Sequence, residues 1–147
     1  RTFEAAAYLR KNGVDVTRIR KAFRADMTEY VTKAAAITST EIFLDGFAFA
    51  ECSSQGIEAP TILGAQVANE LLEITGIKAS FVFTLYKEKV FISARSIDEL
   101  NVQVVMEKVG GGGHMNIAGA QMENSTIDQA MDKVKNVLTE MAMNGDI

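Results

Sequence analysis

The residue types best suited to holding a phosphorylated ligand are concentrated at 110–119, in the string Gly-Gly-Gly-Gly-His-Met-Asn-Ile-Ala-Gly. Glycine has no Cβ, so backbone there can take positive φ and turn successive amides inward as a nest of N–H donors for a phosphate or a base edge. Ordering such a run loses more conformational entropy than ordering any other residues, so a folded domain keeps it for a reason, and close approach is the physical one available. The competing reading is a flexible surface loop. The string is not a P-loop, because no Lys followed by Ser or Thr comes after it. Nor is it a dinucleotide fingerprint, since the sixth position counted from Gly110 or Gly111 is Met115 or Asn116.

His114 follows the run and is the only histidine. A lone histidine makes no metal site, and no second ligand stands near it at the spacing that zinc uses, so no metal site is expected. It can bond a phosphate or a nucleobase, or serve as an internal cap. Arg95 and Ser96 end the string Ser-Ala-Arg-Ser at 93–96. A guanidinium is a planar fork that holds a phosphate with two parallel bonds, and a neighbouring hydroxyl adds a donor. The alternative for Arg95 is a surface pair with Asp98 or Glu99. Asn101 and Asn116 are candidate supporting residues, Asn101 as a helix cap or loop brace.

Apolar spacing indicates the elements that must position these groups. A helical stripe through Phe3, Ala6, Ala7 and Leu9 stops near Asn12 and Gly13, and Val16 to about Ala36 reads as one further helix. Strands at 41–44 and 47–52 flank Asp45 and Gly46, the dipeptide favoured in a two-residue hairpin turn. After a polar loop at 53–58, Pro60 starts a helix that Gly76 stops, with Leu63, Val67, Leu71 and Ile74 on one face. The runs at 79–86 and 90–95 suggest a hairpin across Lys87, Glu88 and Lys89. A short helix at 102–109 leads into the glycines, which break regular structure before a last strand at 117–122. Ser125 or Thr126 caps a final helix whose buried face is Ile127, Met131, Val134, Leu138 and Met141. These elements imply a single α+β domain, a mixed sheet of about five strands with flanking helices.

Composition bounds the partners. The chain has 147 residues, 48% of them hydrophobic, which suits one compact domain. Lys and Arg total 15 against 19 Asp and Glu, a net charge of -4. That balance disfavours a non-specific grip on long nucleic acid, where affinity comes from counterion release, and leaves a small or short phosphorylated ligand open. The basic cluster of Arg18, Arg20, Lys21 and Arg24 lies beside Asp26 and Glu29 and reads as a solvated helix face. Neither an apolar run of membrane-spanning length nor a secretory leader is visible. The single cysteine, Cys52, cannot form an internal disulfide and reads as a small buried hydrophobe, so the expected location is the cytoplasm. An amphipathic helix already under way at Arg1 suggests a piece of a longer chain.

The string from Ser93 to Gln121 resembles the DHH-associated domain, the C-terminal module of the DHH phosphoesterase superfamily. In that family a strand ends in Arg-Ser, an Asn opens a short helix, and the helix runs into GGGH followed by Ala-Gly. The matching positions are Arg95, Ser96, Asn101, Gly111, Gly112, Gly113, His114, Ala118 and Gly119. The opening RTFEAAAYLRKNGVDV looks like the helix that leads out of the catalytic DHH domain. Together with GIKASFVF it is most similar to the membrane-bound cyclic-di-AMP phosphodiesterases of Firmicutes, which carry a degenerate GGDEF domain ahead of the DHH part.

The resemblance implies connecting helices over 1–36 and a substrate-binding DHH-associated domain over 37–147. It implies a manganese-dependent hydrolase that opens cyclic-di-AMP to a linear adenine dinucleotide. Its two manganese ions belong to the upstream DHH domain, whose Asp and His ligands are absent here, so this piece has no catalytic residue and alone is inactive. Arg95 and Ser96 would hold a phosphate, and Gly111, Gly112, Gly113 and His114 the distal nucleotide. The implied partners are the DHH domain of the same chain and the dinucleotide, and a homodimer is open. The parent would be anchored in the cell membrane, with no membrane contact by this piece. Two rival readings stay open: the same domain of a nanoRNase or RecJ-like enzyme acting on short oligonucleotides, and a tRNA-binding module related to the C-terminal domain of alanyl-tRNA synthetase.

Overall fold

The computed structural model describes residues 1–147. Helices α1 (Thr2–Lys11), α2 (Val16–Ala22) and α3 (Met27–Thr38) open the chain. The stretch expected as one helix from Val16 to about Ala36 is thus two. Asp15 accepts from the Thr17 amide at 2.8 Å to start α2, and Asp26 accepts from the Glu29 amide at 3.1 Å to start α3. Ile19, Phe23 and Met27 are exposed, Phe23 by 85%. With no packing to hold a continuous helix together, the local aspartate cap decides where the chain breaks. No residue of α1 or α2 is buried, and in α3 only Ala36 is.

The sheet follows. Strands β1 (Glu41–Phe43) and β2 (Phe47–Glu51) form a hairpin, and α4 (Pro60–Leu71) crosses to β3 (Ala79–Tyr86), which lies parallel to β2. β3 turns into β4 (Lys89–Ser96), then come α5 (Val102–Lys108), β5 (Gly112–Gly113), β6 (Ile117–Glu123) and α6 (Ile127–Met143). The order is β1-β2-β3-β4-β6-β5, with every pair except β2 and β3 antiparallel. The sheet is mixed, as expected, but has six strands: the glycine run supplies the sixth instead of breaking the structure. The first turn also differs by one residue. Leu44 and Asp45 carry the positive φ angles, 47° and 59°. Gly46 closes the turn just before β2, its carbonyl accepting from the Lys78 amide at 2.7 Å.

Two cores form on opposite faces. The larger, of 20 residues, fills the space between the sheet and α5 and α6; the smaller, of 10, lies beneath α3 and α4 and includes Cys52. Burial pushes the Cys52 thiol above its ordinary range. Strict alternation along β4 sends Val90, Ile92, Ala94 and Ser96 inward and Phe91, Ser93 and Arg95 to the other face. Along β6, Ala118, Ala120 and Met122 are buried, while Gly119 and Gln121 face the opposite way. On that opposite face α4 packs against β3 and β4. Beyond it the surface over β4, β6 and β5 is open, and Ile117 there is 57% exposed.

Candidate functional site

Register builds the open face in rows, because residues directly opposite each other across strands share a face. One row runs Ser80, Arg95, Ile117 across β3, β4 and β6. His114 extends it, exchanging both backbone bonds with Ile117 at 2.7 and 3.3 Å. With strands about 4.8 Å apart, the Arg95 and His114 backbones stand about 10 Å apart on one face. The next row is Ser93, Gly119, Gly112. It forms a floor with almost no side chains. The row beyond it holds Phe91 and Gln121. Between these rows and Thr61 of α4 lies a cleft of about 480 Å³, which Gly110 and Gly111 also line.

Arg95 is half-buried beside this cleft, one outward position beyond Ser93. Its Nε donates to Asn69 Oδ1 at 3.1 Å, and one terminal nitrogen donates to the Ala94 carbonyl at 2.9 Å and the Ala118 carbonyl at 3.4 Å. The other terminal nitrogen has no partner in the chain. All the acceptors are neutral. Arg95 takes part in none of the four ion pairs, so the expected alternative of a pair with Asp98 or Glu99 does not form. Desolvation pulls the guanidinium below its ordinary pKa. A charge withdrawn from water without a counter-ion is unfavourable unless an anion completes it.

The glycines divide into distinct tasks. Gly110, at φ 88°, ends α5 in a Schellman motif: its amide donates to the Glu107 carbonyl at 3.1 Å and that of Gly111 to Met106 at 2.8 Å. A Cβ on Gly111 would collide with the Gly119 carbonyl and Ala120, and one on Gly113 would lie 2.5 Å from Ala118 Cα. Around Gly112 a Cβ would meet nothing within 4 Å. The expectation of a nest of converging amides gives way to an edge strand. Since His114 and Ile117 form a hydrogen-bonded pair, ladder alternation leaves the Gly113 amide on the outer, unpaired side.

The remaining sequence-predicted residues brace this geometry. Ser96 is buried, and its hydroxyl donates to the Leu100 carbonyl at 2.6 Å, close to the Met115 carbonyl and Asn116 Oδ1. Its amide donates to the Asn116 carbonyl at 3.0 Å. Asn101 caps α5 through Gln103 and Val104, and the Met115 carbonyl accepts from Val102 at 2.9 Å. The hairpin tip carrying His114 is thereby tied to the end of β4 and the start of α5. Arg95, Gly112 and His114 share the open face, Ser96 faces the core, and of the predicted residues only Gly111 lines the cleft itself. Asn69 went unnoticed in the sequence, where nothing links it to a residue 26 positions away.

The DHHA1 domain family matches residues 46–140. The chain belongs to that family. It is 42% identical over 131 residues to the cyclic-di-AMP phosphodiesterase PdeA of Listeria monocytogenes, covering 88% of this chain and 20% of that protein. It is 35% identical over 142 residues to GdpP of Bacillus subtilis, covering 95% and 22%. This DHHA1 domain therefore spans about a fifth of the curated relatives that it matches. Among solved structures it resembles an exopolyphosphatase-related protein from Bacteroides fragilis, at TM-score 0.78, 19% identity, 95% of this chain and 43% of that one. It also resembles the C-Ala domain of Aquifex aeolicus alanyl-tRNA synthetase, at TM-score 0.52 and 19% identity, covering 67% and 96%. Both likenesses concern the fold.

Proposed function

We propose that this DHHA1 domain is the substrate-gripping part of a cyclic-di-AMP phosphodiesterase, and that its open sheet face holds the dinucleotide. The observation that carries this reading is Arg95: half-buried, without a carboxylate, held by neutral acceptors and left with a free terminal nitrogen. A phosphate oxygen supplies the missing negative charge. The floor of Ser93, Gly119 and Gly112 lets a sugar-phosphate backbone lie close to the sheet, and the outward Gly113 amide and His114 offer donors at its edge. Ser96 acts in this reading by holding the loop in place.

Cyclic-di-AMP is the substrate named for the relatives. The proposed parent uses two manganese ions, which in this reading lie outside this domain. They belong to a DHH domain in the same protein, which is this domain's partner across the substrate. This chain contributes binding and orientation. No helix is long and apolar enough to cross a membrane. Anchoring of the parent is supported by a relative described as a membrane protein fused to ribosomal subunit bL9, 38% identical over 139 residues.

Calorimetric titration with the linear adenine dinucleotide tests the reading. Arg95→Ala should weaken binding by about 1.5–3 kcal/mol, the worth of a charge-assisted bond, with the circular dichroism spectrum unchanged. Equal affinity in the two proteins would remove Arg95 from the site. Tighter binding of a short RNA than of either adenine dinucleotide would move the substrate class to oligonucleotides.

A further inference from the structure

Arg95 is long and flexible, and a guanidinium left free to rotate loses entropy when a ligand fixes it. Here it is fixed beforehand. Two carbonyls of the sheet hold one terminal nitrogen, and Asn69, from the exposed side of α4, holds Nε. These contacts settle both the position and the plane of the fork, and they leave the remaining nitrogen for a ligand. The Asn69 contact reaches across from another element, and it is the only one made by a side chain.

The chemical type of that side chain matters. Asparagine orients the guanidinium through a neutral oxygen, so the positive charge remains for an incoming anion. An aspartate of the same shape would orient it equally well and cancel its charge. The nearest acidic neighbour on α4, Glu70, is engaged by Lys33 at 2.8 Å. The surroundings of Arg95 thus combine firm placement with an uncompensated charge, which suits a group preorganised for phosphate.

We infer that Asn69 is the positioning residue for the phosphate-binding arginine of this domain, acting through Arg95 and not on the ligand. The inference rests on the site proposed above. A double-mutant cycle separates the two, with the linear adenine dinucleotide as probe and melting temperature followed in parallel. Asn69→Ala should weaken binding about tenfold, the size of one lost orienting hydrogen bond. In an Arg95→Ala background the same change should have less than about a twofold effect, because its route to the ligand is gone. Asn69→Asp should bind more weakly than Asn69→Ala, as its carboxylate competes with phosphate for the guanidinium. A residue that only braces the fold would behave differently, since the aspartate would hold Arg95 at least as firmly and preserve affinity.

Wild-type affinity in Asn69→Ala or Asn69→Asp would overturn the inference. So would an undiminished effect of Asn69→Ala once Arg95 is gone. A silent Arg95→Ala would instead overturn the site itself.

Discussion

The two faces of β4 and β6 come from the same residues taken alternately, yet they are built for different ends. One face buries Val90, Ile92, Ala94, Ala118, Ala120 and Met122 against α5 and α6 within the 20-residue core. The other presents Ser93, Gly119 and Arg95, with Gly112 of β5 beside them, and no helix lies over β6 there. Apolar volume stabilises the first. The second gives up that volume, so its small residues and single uncompensated charge have no account in packing. Stability and recognition are thus separated by one residue step along a strand, and substitutions should separate them too.

The largest expected effect lies on the packed face. Phe81 is fully buried and stacks on Phe49 with ring centroids 5.2 Å apart. Phe81→Ala should destabilise the fold by about 3–5 kcal/mol in chemical denaturation, as large core truncations do. Dinucleotide affinity of the folded fraction should stay at the wild-type value. A parallel loss of affinity would mean that the two faces are coupled through the sheet.

Gly113→Ala should act on both properties at a smaller scale. Its φ of 148° and the closeness of Ala118 force β5 away from β6 once a Cβ is present. A loss of about 1–3 kcal/mol in stability is expected, the usual size of such backbone strain. Binding should weaken with it. A variant of unchanged stability and affinity would show that β5 adjusts freely and that edge geometry does not matter.

Much of the packed face was legible in the sequence. Pro60 marks the start of α4 and Thr126, one of the two expected caps, that of α6, where it forms a capping box with Gln129. The β3 and β4 hairpin turns at Lys87 and Glu88, whose φ angles are 50° and 62°. These features depend on local chemistry and on apolar spacing, which a sequence displays directly. The break between α2 and α3 was missed because apolar residues at helical spacing imply a partner surface that the chain does not supply. β5 was missed because glycines carry no period, and only the register of β6 makes them a strand. The open face was partly legible: Arg95 and the glycine run stand out by residue type, and the floor of Ser93, Gly119 and Gly112 does not. That floor exists only once three strands are in register. Asn69 joins Arg95 through the crossover of α4, a tertiary fact with no local signature.

Gly112→Ala tests most directly whether the open face is the ligand site, because it is the one glycine of the run at which a Cβ meets open space without a positive φ. Its added methyl meets no atom within 4 Å and would stand on the floor, where the nucleotide backbone is proposed to lie. Its φ lies outside the positive region, so no backbone strain confuses the result. Titration with the linear adenine dinucleotide should show affinity falling by about tenfold or more, from lost contact along a ligand held off the sheet. The melting temperature should match that of the wild type. Wild-type affinity in a protein of wild-type stability would contradict the account, because the floor would then be surface that the ligand never touches.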